Sequence, residues 1–482
     1  MRDSTLVRLN PRPETAYINQ GRTVLATASN GFVEAHPDHG LFVHQTRLVS
    51  RLRWLVDGEP PVPNAMSNLE HDSWLGYYLL EAPGVPPPPR DTGSGQVPGI
   101  STQPIELRVS RRVGNGMHEE IEVTNFARER TTFRLTLEID ADFADAAETR
   151  GERIQKGKIK REITDDSLTL TYTVSINDRE LERALRAVVR DSTTAPRITK
   201  SGIDFEIELS PHDSWQAAID FIAIIEGTEL AEGIRQDEKS PAPVKFTAPG
   251  SETLTPIVLE TLRQAEYDLS ALRLHDLDTP RGWTMAAGLP LYIALFGRDT
   301  LTSSWQAGLL GPEMMSGTLR RLQELQGSEE NDWRDEQPGK MIHEAHDGPL
   351  AMLDVNPRRR NYGSITTSGL YSFIVAELWH WTGDESLVRP LLPAALASLQ
   401  WLERYGDLDG DGFYEYLTRS SEGVRNQGWK DSADAIPYDD GRLVDPPIAT
   451  CEEQGFVYVA KLHFADVLWW LGERDAAKRI FH

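Results

Sequence analysis

The segment GVRNQGWKDSADAIP, Gly423 to Pro437, gathers Asn426, Gln427, Trp429, Lys430, Asp431 and Asp434 in one polar stretch between two helical patterns. Cleavage of a glycosidic bond needs a carboxylic acid to protonate the leaving oxygen and a second carboxylate opposite it. A sugar also needs a flat aromatic surface under its C–H face and polar groups around its hydroxyls. Trp429, two residues before Asp431, offers both in one turn of chain. An Asp beside a Trp in a loop serves equally as a turn or helix-capping residue. The neighbouring segments therefore have to decide.

Those segments repeat the theme. Gly297-Arg298-Asp299-Thr300 precedes a helical pattern inside Ala286 to Leu310. His343 and Glu344 lie in GKMIHEAHDGPL, and Glu453 and Gln454 in PPIATCEEQGFVYVA. Each has a plainer reading: Arg298–Asp299 as an ion pair fixing a helix start, Glu453 as a helix cap. Asp407, Asp409 and Asp411, followed by Gly412, Phe413 and Glu415, match the first half of an EF-hand calcium loop. The twelfth position is Thr418 rather than a bidentate Glu, and no flanking helix pair is evident. Calcium stays open there beside a turn of Asp and Gly that presents Glu415 to a rim.

The elements that must position these residues change type along the chain. Phe133, Leu135, Leu137 and Ile139 alternate with polar residues, as do Leu168 to Ile176 and Ile203 to Leu209. Period-two alternation predicts half-buried antiparallel strands, and several between turn signals predict a sandwich over 1–227. Residues 82–99, rich in Pro and Gly, read as an exposed loop, and 228–252 as a linker. From 253 to 482 the periodicity is helical: Ile257, Leu262, Ala265 and Leu269 share a face, as do Met315, Leu319, Leu322 and Leu325. Gly383 and Asp384 divide a helical hairpin over 368–405, and a long helix spans 451–471. Cys451, Trp469 and Trp470 read as core residues of that last helix.

Composition narrows the chemistry further. A chain of 482 residues holds two or three domains. Its net charge of −24 argues against a nucleic-acid partner, since phosphate binding needs a cationic face. The basic stretch around Lys156 to Arg161 reads as a solvated strand edge or loop. No apolar run is long enough for a membrane helix, and the N-terminus lacks a secretory pattern. The single cysteine permits no intramolecular disulfide and fits a reducing, cytoplasmic compartment.

Taken in order, GRDT, GKMIHEAHDGPL, YGSITTSGLYSF, GDLDGDGFYEY, GWKDS and PPIATCEEQGF resemble the amylo-α-1,6-glucosidase domain of bacterial and archaeal glycogen-debranching enzymes. They are similar also to mannosylglycerate-hydrolase-like barrels, and GLFVHQTRLVSRLRWLVDGEPP resembles the β-sandwich that precedes such barrels. The resemblance implies an N-terminal antiparallel β-sandwich followed by an (α/α)6 barrel. It implies hydrolysis of α-glucosidic bonds, α-1,6 branch points foremost, by inverting acid/base catalysis without a cofactor. Asp431 would be the general acid. Arg298, Asp299, His343, Glu344, Trp429, Glu453 and Gln454 would bind the sugar. Thr366 stands where the family usually has Asp, which removes a charge from the expected rim and leaves the linkage open. A small α-glycoside such as glucosylglycerate, mannosylglycerate or trehalose is the alternative substrate. A non-catalytic carbohydrate-binding protein is the alternative of another class. Fewer helical segments are legible than a closed ring needs, so the barrel is expected to be incomplete, with the base beyond His482 and the chain inactive.

Overall fold

Alternating apolar residues build the first half of the chain in the computed structural model, which describes residues 15–80, 104–230, 255–276, 279–290 and 292–481. Strand Thr131–Asp140 turns Phe133, Leu135, Leu137 and Ile139 inward and leaves Thr132 and Arg134 in water. It pairs antiparallel with Gly202–Leu209 on one side and Arg51–Val56 on the other, in a four-stranded sheet. A nine-stranded antiparallel sheet includes Ser167–Ile176, Arg179–Ser192, Ser214–Ile225, Gly116–Asn125 and Ile105–Val113.

The two sheets meet face to face. Phe205 of the smaller sheet lies 6.4 Å from Trp54 and 4.9 Å, edge-on, from Trp215 of the larger, measured between ring centroids. The Trp54 indole donates to Glu119 Oε1 at 2.7 Å, and Glu119 is ion-paired with Arg111 although both side chains are fully buried. A buried charge is tolerated when it is paired and hydrogen-bonded, and Arg111 lies in addition over the Trp74 ring at 4.9 Å. This is the expected antiparallel sandwich. The basic stretch contributes the edge strand Lys158–Ile163, where Lys160 pairs with Glu162 and Arg161 with Asp140 in solvent. Charged edge strands resist pairing with other chains.

Compact units span Met1–Ala242 and Pro243–His482. Of the stretch read as a linker, Thr228–Leu230 pairs with Ala223–Ile225 as a last short strand. The rest of it, like the loop read at 82–99, lies outside the described residues.

The second unit is mainly helical: α1 (Pro256–Ala271), α2 (Gly297–Gln306), α3 (Glu313–Glu324), α4 (Pro349–Met352), α5 (Thr366–Thr382), α6 (Glu385–Val388), α7 (Leu392–Tyr405), α8 (Cys451–Trp470) and α9 (Arg474–Phe481). Helix α5 is central, with every residue from Thr366 to Ala376 buried, and α2, α3, α7 and α8 pack around it. A helix apolar on all sides belongs inside. Gly383, in the left-handed conformation, closes α5, and Asp384 caps α6 through the Ser386 amide at 2.8 Å. No helix among the described residues is long and apolar enough to cross a membrane.

Three features depart from the sequence reading. An antiparallel sheet of Arg273–Asp276, Thr279–Gly288, Tyr292–Phe296 and Glu344–Ala345 precedes and flanks α2. Short apolar runs such as Tyr292–Phe296 are not told from buried helix by periodicity alone. Helix α1 forms as expected, yet Ala271 is its one buried residue. At the far end, Cys451 is exposed, and Trp469 and Trp470 face outward at 47% and 70% exposure while Val467 and Leu468 fill the core.

Candidate active site

Arg298 is the hub. It occupies the first turn of α2, which begins at Gly297, where the backbone leaves no room for a side chain: a Cβ on Gly297 would stand 2.2 Å from the Ile342 carbonyl oxygen. The Arg298 guanidinium donates to Asp431 Oδ2 at 3.0 Å and to the Trp429 carbonyl at 3.1 Å, and lies 5.5 Å from the Trp429 ring centroid. Its contact with Asp299 is longer, 3.8 Å. The pairing thus runs across the chain to Asp431 more than to the neighbour that sequence adjacency suggested. Asp299 Oδ2 is buried without a hydrogen bond, and the residue stands in the first turn of α2, at the positive end of the helix dipole.

The loop carrying Trp429 and Asp431 is anchored from below by Glu453, in the first turn of α8. The Trp429 amide donates to Glu453 Oε1 at 2.8 Å, and the Thr366 hydroxyl donates to the same oxygen at 2.6 Å. Glu453 is 1% exposed and its Oε2 makes no hydrogen bond. Burial pushes its pKa up to about 7, against the hydrogen bonds from Thr366 and Trp429 and the charge of Arg298. Thr366 is buried at the N-terminus of α5, so the residue that replaces the usual Asp faces Glu453 rather than a solvent rim.

His343 joins this group. It is buried, its carbonyl accepts from the Gly297 amide at 2.7 Å, and its ring feels Glu344 first, then Arg298, Asp431 and Asp299. Desolvation holds its pKa below the usual value, against the pull of the neighbouring carboxylates, and Nδ1 makes no hydrogen bond. Trp429 is 40% exposed, with Phe456 packed at 5.3 Å, and Asp431 has 34% of its side chain open to solvent. Arg298, Asp299, His343, Trp429, Asp431 and Glu453 therefore converge, with an aromatic surface and a reachable carboxylate on the open side.

Two other expected residues turn elsewhere. Glu344 accepts from Asn361 at 2.9 Å and pairs with His346 at 2.9 Å. Burial opposes its ionisation, but the His346 hydrogen bond and the charges of His346, His343 and Arg358 hold its carboxyl well below the usual range. Gln454 is spent on backbone: it accepts from the Tyr414 amide and donates to the Tyr414 carbonyl, clamping that loop to α8. Glu415 also turns into its own loop, accepting from the Leu408 amide. Oxygens of Asp407, Asp409, Asp411 and Glu415 come within 4.8 Å of one another. Burial and the three aspartates raise the Glu415 pKa. These four acidic residues could surround a cation.

Asp335 escaped the sequence reading. It is 1% exposed and accepts from the Thr418 hydroxyl, the Arg419 amide and the Gln427 side chain. It thereby ties the start of the Trp429 loop to the loop after α3. Its signal in the sequence is only an Asp between polar residues, and no spacing rule connects 335 to 427.

Residues 18–220 match the family described as the N-terminal domain of some glycogen debranching enzymes. No curated protein sequence matches the chain. Among solved structures, one from the human microbiome assigned as a kojibiose phosphorylase is similar over 94% of this chain at 9% identity, with a TM-score of 0.55. The chain spans 63% of the length of that structure. A family GH92 α-mannosidase from Bacteroides thetaiotaomicron matches over 97% of this chain and 62% of its own at 10% identity, with a TM-score of 0.34. The N-terminal sandwich is thus similar to that domain of some glycogen debranching enzymes, and the order of sandwich then helices is a fold shared with the kojibiose phosphorylase structure.

Proposed function

We propose that this chain carries the site of a glycosidic-bond-cleaving enzyme and that Asp431 is its proton donor. One observation carries the reading: Asp431 and the indole of Trp429 lie side by side on the open face of the Arg298 hub. A proton donor must first be able to reach the leaving oxygen, and its pKa matters only after that. Asp431 is reachable; Glu453, at 1% exposure, is not. In the free protein the Arg298 fork engages the Asp431 carboxyl group. Sugar hydroxyls competing for that fork would free the Asp431 carboxyl group to turn towards the leaving oxygen. Glu453 is a positioning residue that fixes Trp429 through its backbone amide. The substrate proposed is an α-glucoside, α-1,6-branched glucan foremost, hydrolysed with inversion in a reducing, cytoplasmic setting.

The test compares Asp431→Asn with Glu453→Gln, each made in a version of the protein that turns over the parent substrates, on α-glucosides with poor and good leaving groups. Loss of the general acid typically costs about 10²–10⁴ in turnover. Asp431→Asn should show that loss with isomaltose or glycogen and little of it with a nitrophenyl α-glucoside, whose leaving group needs no proton. A loss below about tenfold on the natural linkages would remove Asp431 from the role. The leaving-group signature appearing in Glu453→Gln instead would transfer the role to Glu453. Product anomers resolved by NMR report the stereochemistry, and a small-glycoside panel reports the alternative substrate class.

A further inference from the structure

We propose a divalent transition-metal site, of the kind that takes zinc, on the α5–α8 seam at the end remote from the candidate active site. Its ligands are Glu377 and His380 on α5 and His463 on α8. One ligand atom from each lies within 4.8 Å of the other two. His380 Nδ1 is 3.0 Å and His463 Nδ1 3.4 Å from the same oxygen, Glu377 Oε1. Two ligands bound to a tetrahedral zinc at about 2.0–2.1 Å are themselves about 3.3 Å apart. The two distances to Glu377 Oε1 are therefore close to the edges of a coordination tetrahedron, and the two imidazoles lie within 4.8 Å of each other.

His380 Nδ1 is hydrogen-bonded to Glu377 Oε1 in the metal-free chain, and two further observations point to an ion binding there. His463 Nδ1 is buried and makes no hydrogen bond, although it stands beside a carboxylate oxygen. A lone pair held in that position is what a metal uses. The outer partners are also in place. The Trp305 indole donates to Glu377 Oε2 at 3.0 Å, which occupies that oxygen and leaves Oε1 facing the imidazoles. Asp466 Oδ2 is 3.9 Å from His380 Nε2, on the far side of the ring from Glu377. An indole hydrogen-bonded to the ligating carboxylate is a support that fixes a metal ligand, and Asp466 stands within ion-pair reach of the outer imidazole nitrogen. Phe373, 5.4 Å from the His463 ring, supplies the apolar wall. Imidazole and carboxylate together suit zinc and its neighbours rather than calcium or magnesium.

The site joins the two helices whose first turns hold Thr366 and Glu453. Glu377 and His463 follow these residues by about three helical turns, or about 15 Å of rise. A bound ion would staple α5 to α8 at one end as the Thr366–Glu453 hydrogen bond does at the other.

The experiment uses the tag-free, chelator-treated chain and its His380→Gln and His463→Gln variants. Calorimetry with Zn2+ and the visible absorption of Co2+ report binding; thermal melts report stability with and without Zn2+. Wild type should bind one equivalent at micromolar Zn2+, show the intense visible band of tetrahedral Co2+, and melt higher with metal. Each His variant should lose that equivalent and its melting shift while keeping the wild-type metal-free melt. Trp305→Phe should weaken binding by about tenfold. Absence of micromolar binding in wild type, or its survival in either His variant, would overturn the proposal.

Discussion

Replacing Glu453 by Gln should abolish the pH dependence that one buried carboxyl imposes on the helical unit. Burial raises the Glu453 pKa from 4.5 to about 7 in the folded chain. The folded state thus binds this proton more tightly than the unfolded state. Its contribution to stability is fully present below the unfolded value and is lost as pH rises through the folded one. Integrating between the two values, the loss is about 0.8 kcal/mol at about pH 5 and about 3.3 kcal/mol at about pH 8, a difference of about 2.5 kcal/mol. Gln keeps an acceptor for the Trp429 amide and the Thr366 hydroxyl but has no proton to lose. Its own fixed cost, an amide nitrogen where the unbonded Oε2 now lies, is the same at every pH. Urea unfolding of both proteins at the two pH values, followed by tryptophan fluorescence, gives the double difference in which all shared titrations cancel. The variant should gain about 2.5 kcal/mol on wild type as pH rises over that window. A double difference within about 0.5 kcal/mol of zero would refute the burial argument, because one unit of pKa shift already corresponds to about 1.4 kcal/mol.

Arg298→Lys should weaken sugar binding by roughly tenfold or more despite conserving charge, since a point charge replaces a fork that spans Asp431 and the Trp429 carbonyl; calorimetry with isomaltose checks it, and unchanged affinity with a lowered melting temperature would make Arg298 purely structural. Gly297→Ala should destabilise the helical unit by about 1–3 kcal/mol, because its Cβ would lie 2.2 Å from the Ile342 carbonyl and 2.6 Å from Thr367 Cγ2; denaturant midpoints test this. Asp335→Ala should cost about 3 kcal/mol or more and speed hydrogen exchange in 418–427, since three donors lose their acceptor. Thr366→Val should lift the Glu453 pKa further by deleting its 2.6 Å donor, which the urea experiment at several pH values would register as a steeper loss of stability towards alkaline pH.

Much of the candidate site was legible because its residues sit in short polar stretches between regular apolar patterns. Trp429 and Asp431 stand out in that way, as do Arg298 and Asp299 ahead of α2. Those stretches carry no information on partner choice. Glu453 and Gln454 are adjacent in sequence, yet the helical turn sends one under Trp429 and the other to the Tyr414 backbone. Glu344 follows His343 directly and opens the two-residue strand Glu344–Ala345. It ends among His346, Asn361 and Arg358 instead of at the Arg298 hub.

The sequence by itself determined the sandwich, through strict alternation in strands such as Thr131–Asp140, and the helical character of the second unit, through apolar faces such as that of α3. Both are local periodicities, and a local pattern needs no knowledge of its neighbours. The tertiary structure alone decided that Arg298 pairs with Asp431 across 133 positions and that Thr366 meets Glu453 across 87. It alone made Asp335 a buried acceptor for three partners and brought His463 to Glu377. These are properties of packing. Which side chain lies buried beside which is fixed only when distant segments are brought together, and so are the desolvation that raises the Glu453 pKa and the guanidinium that holds Asp431 beside Trp429.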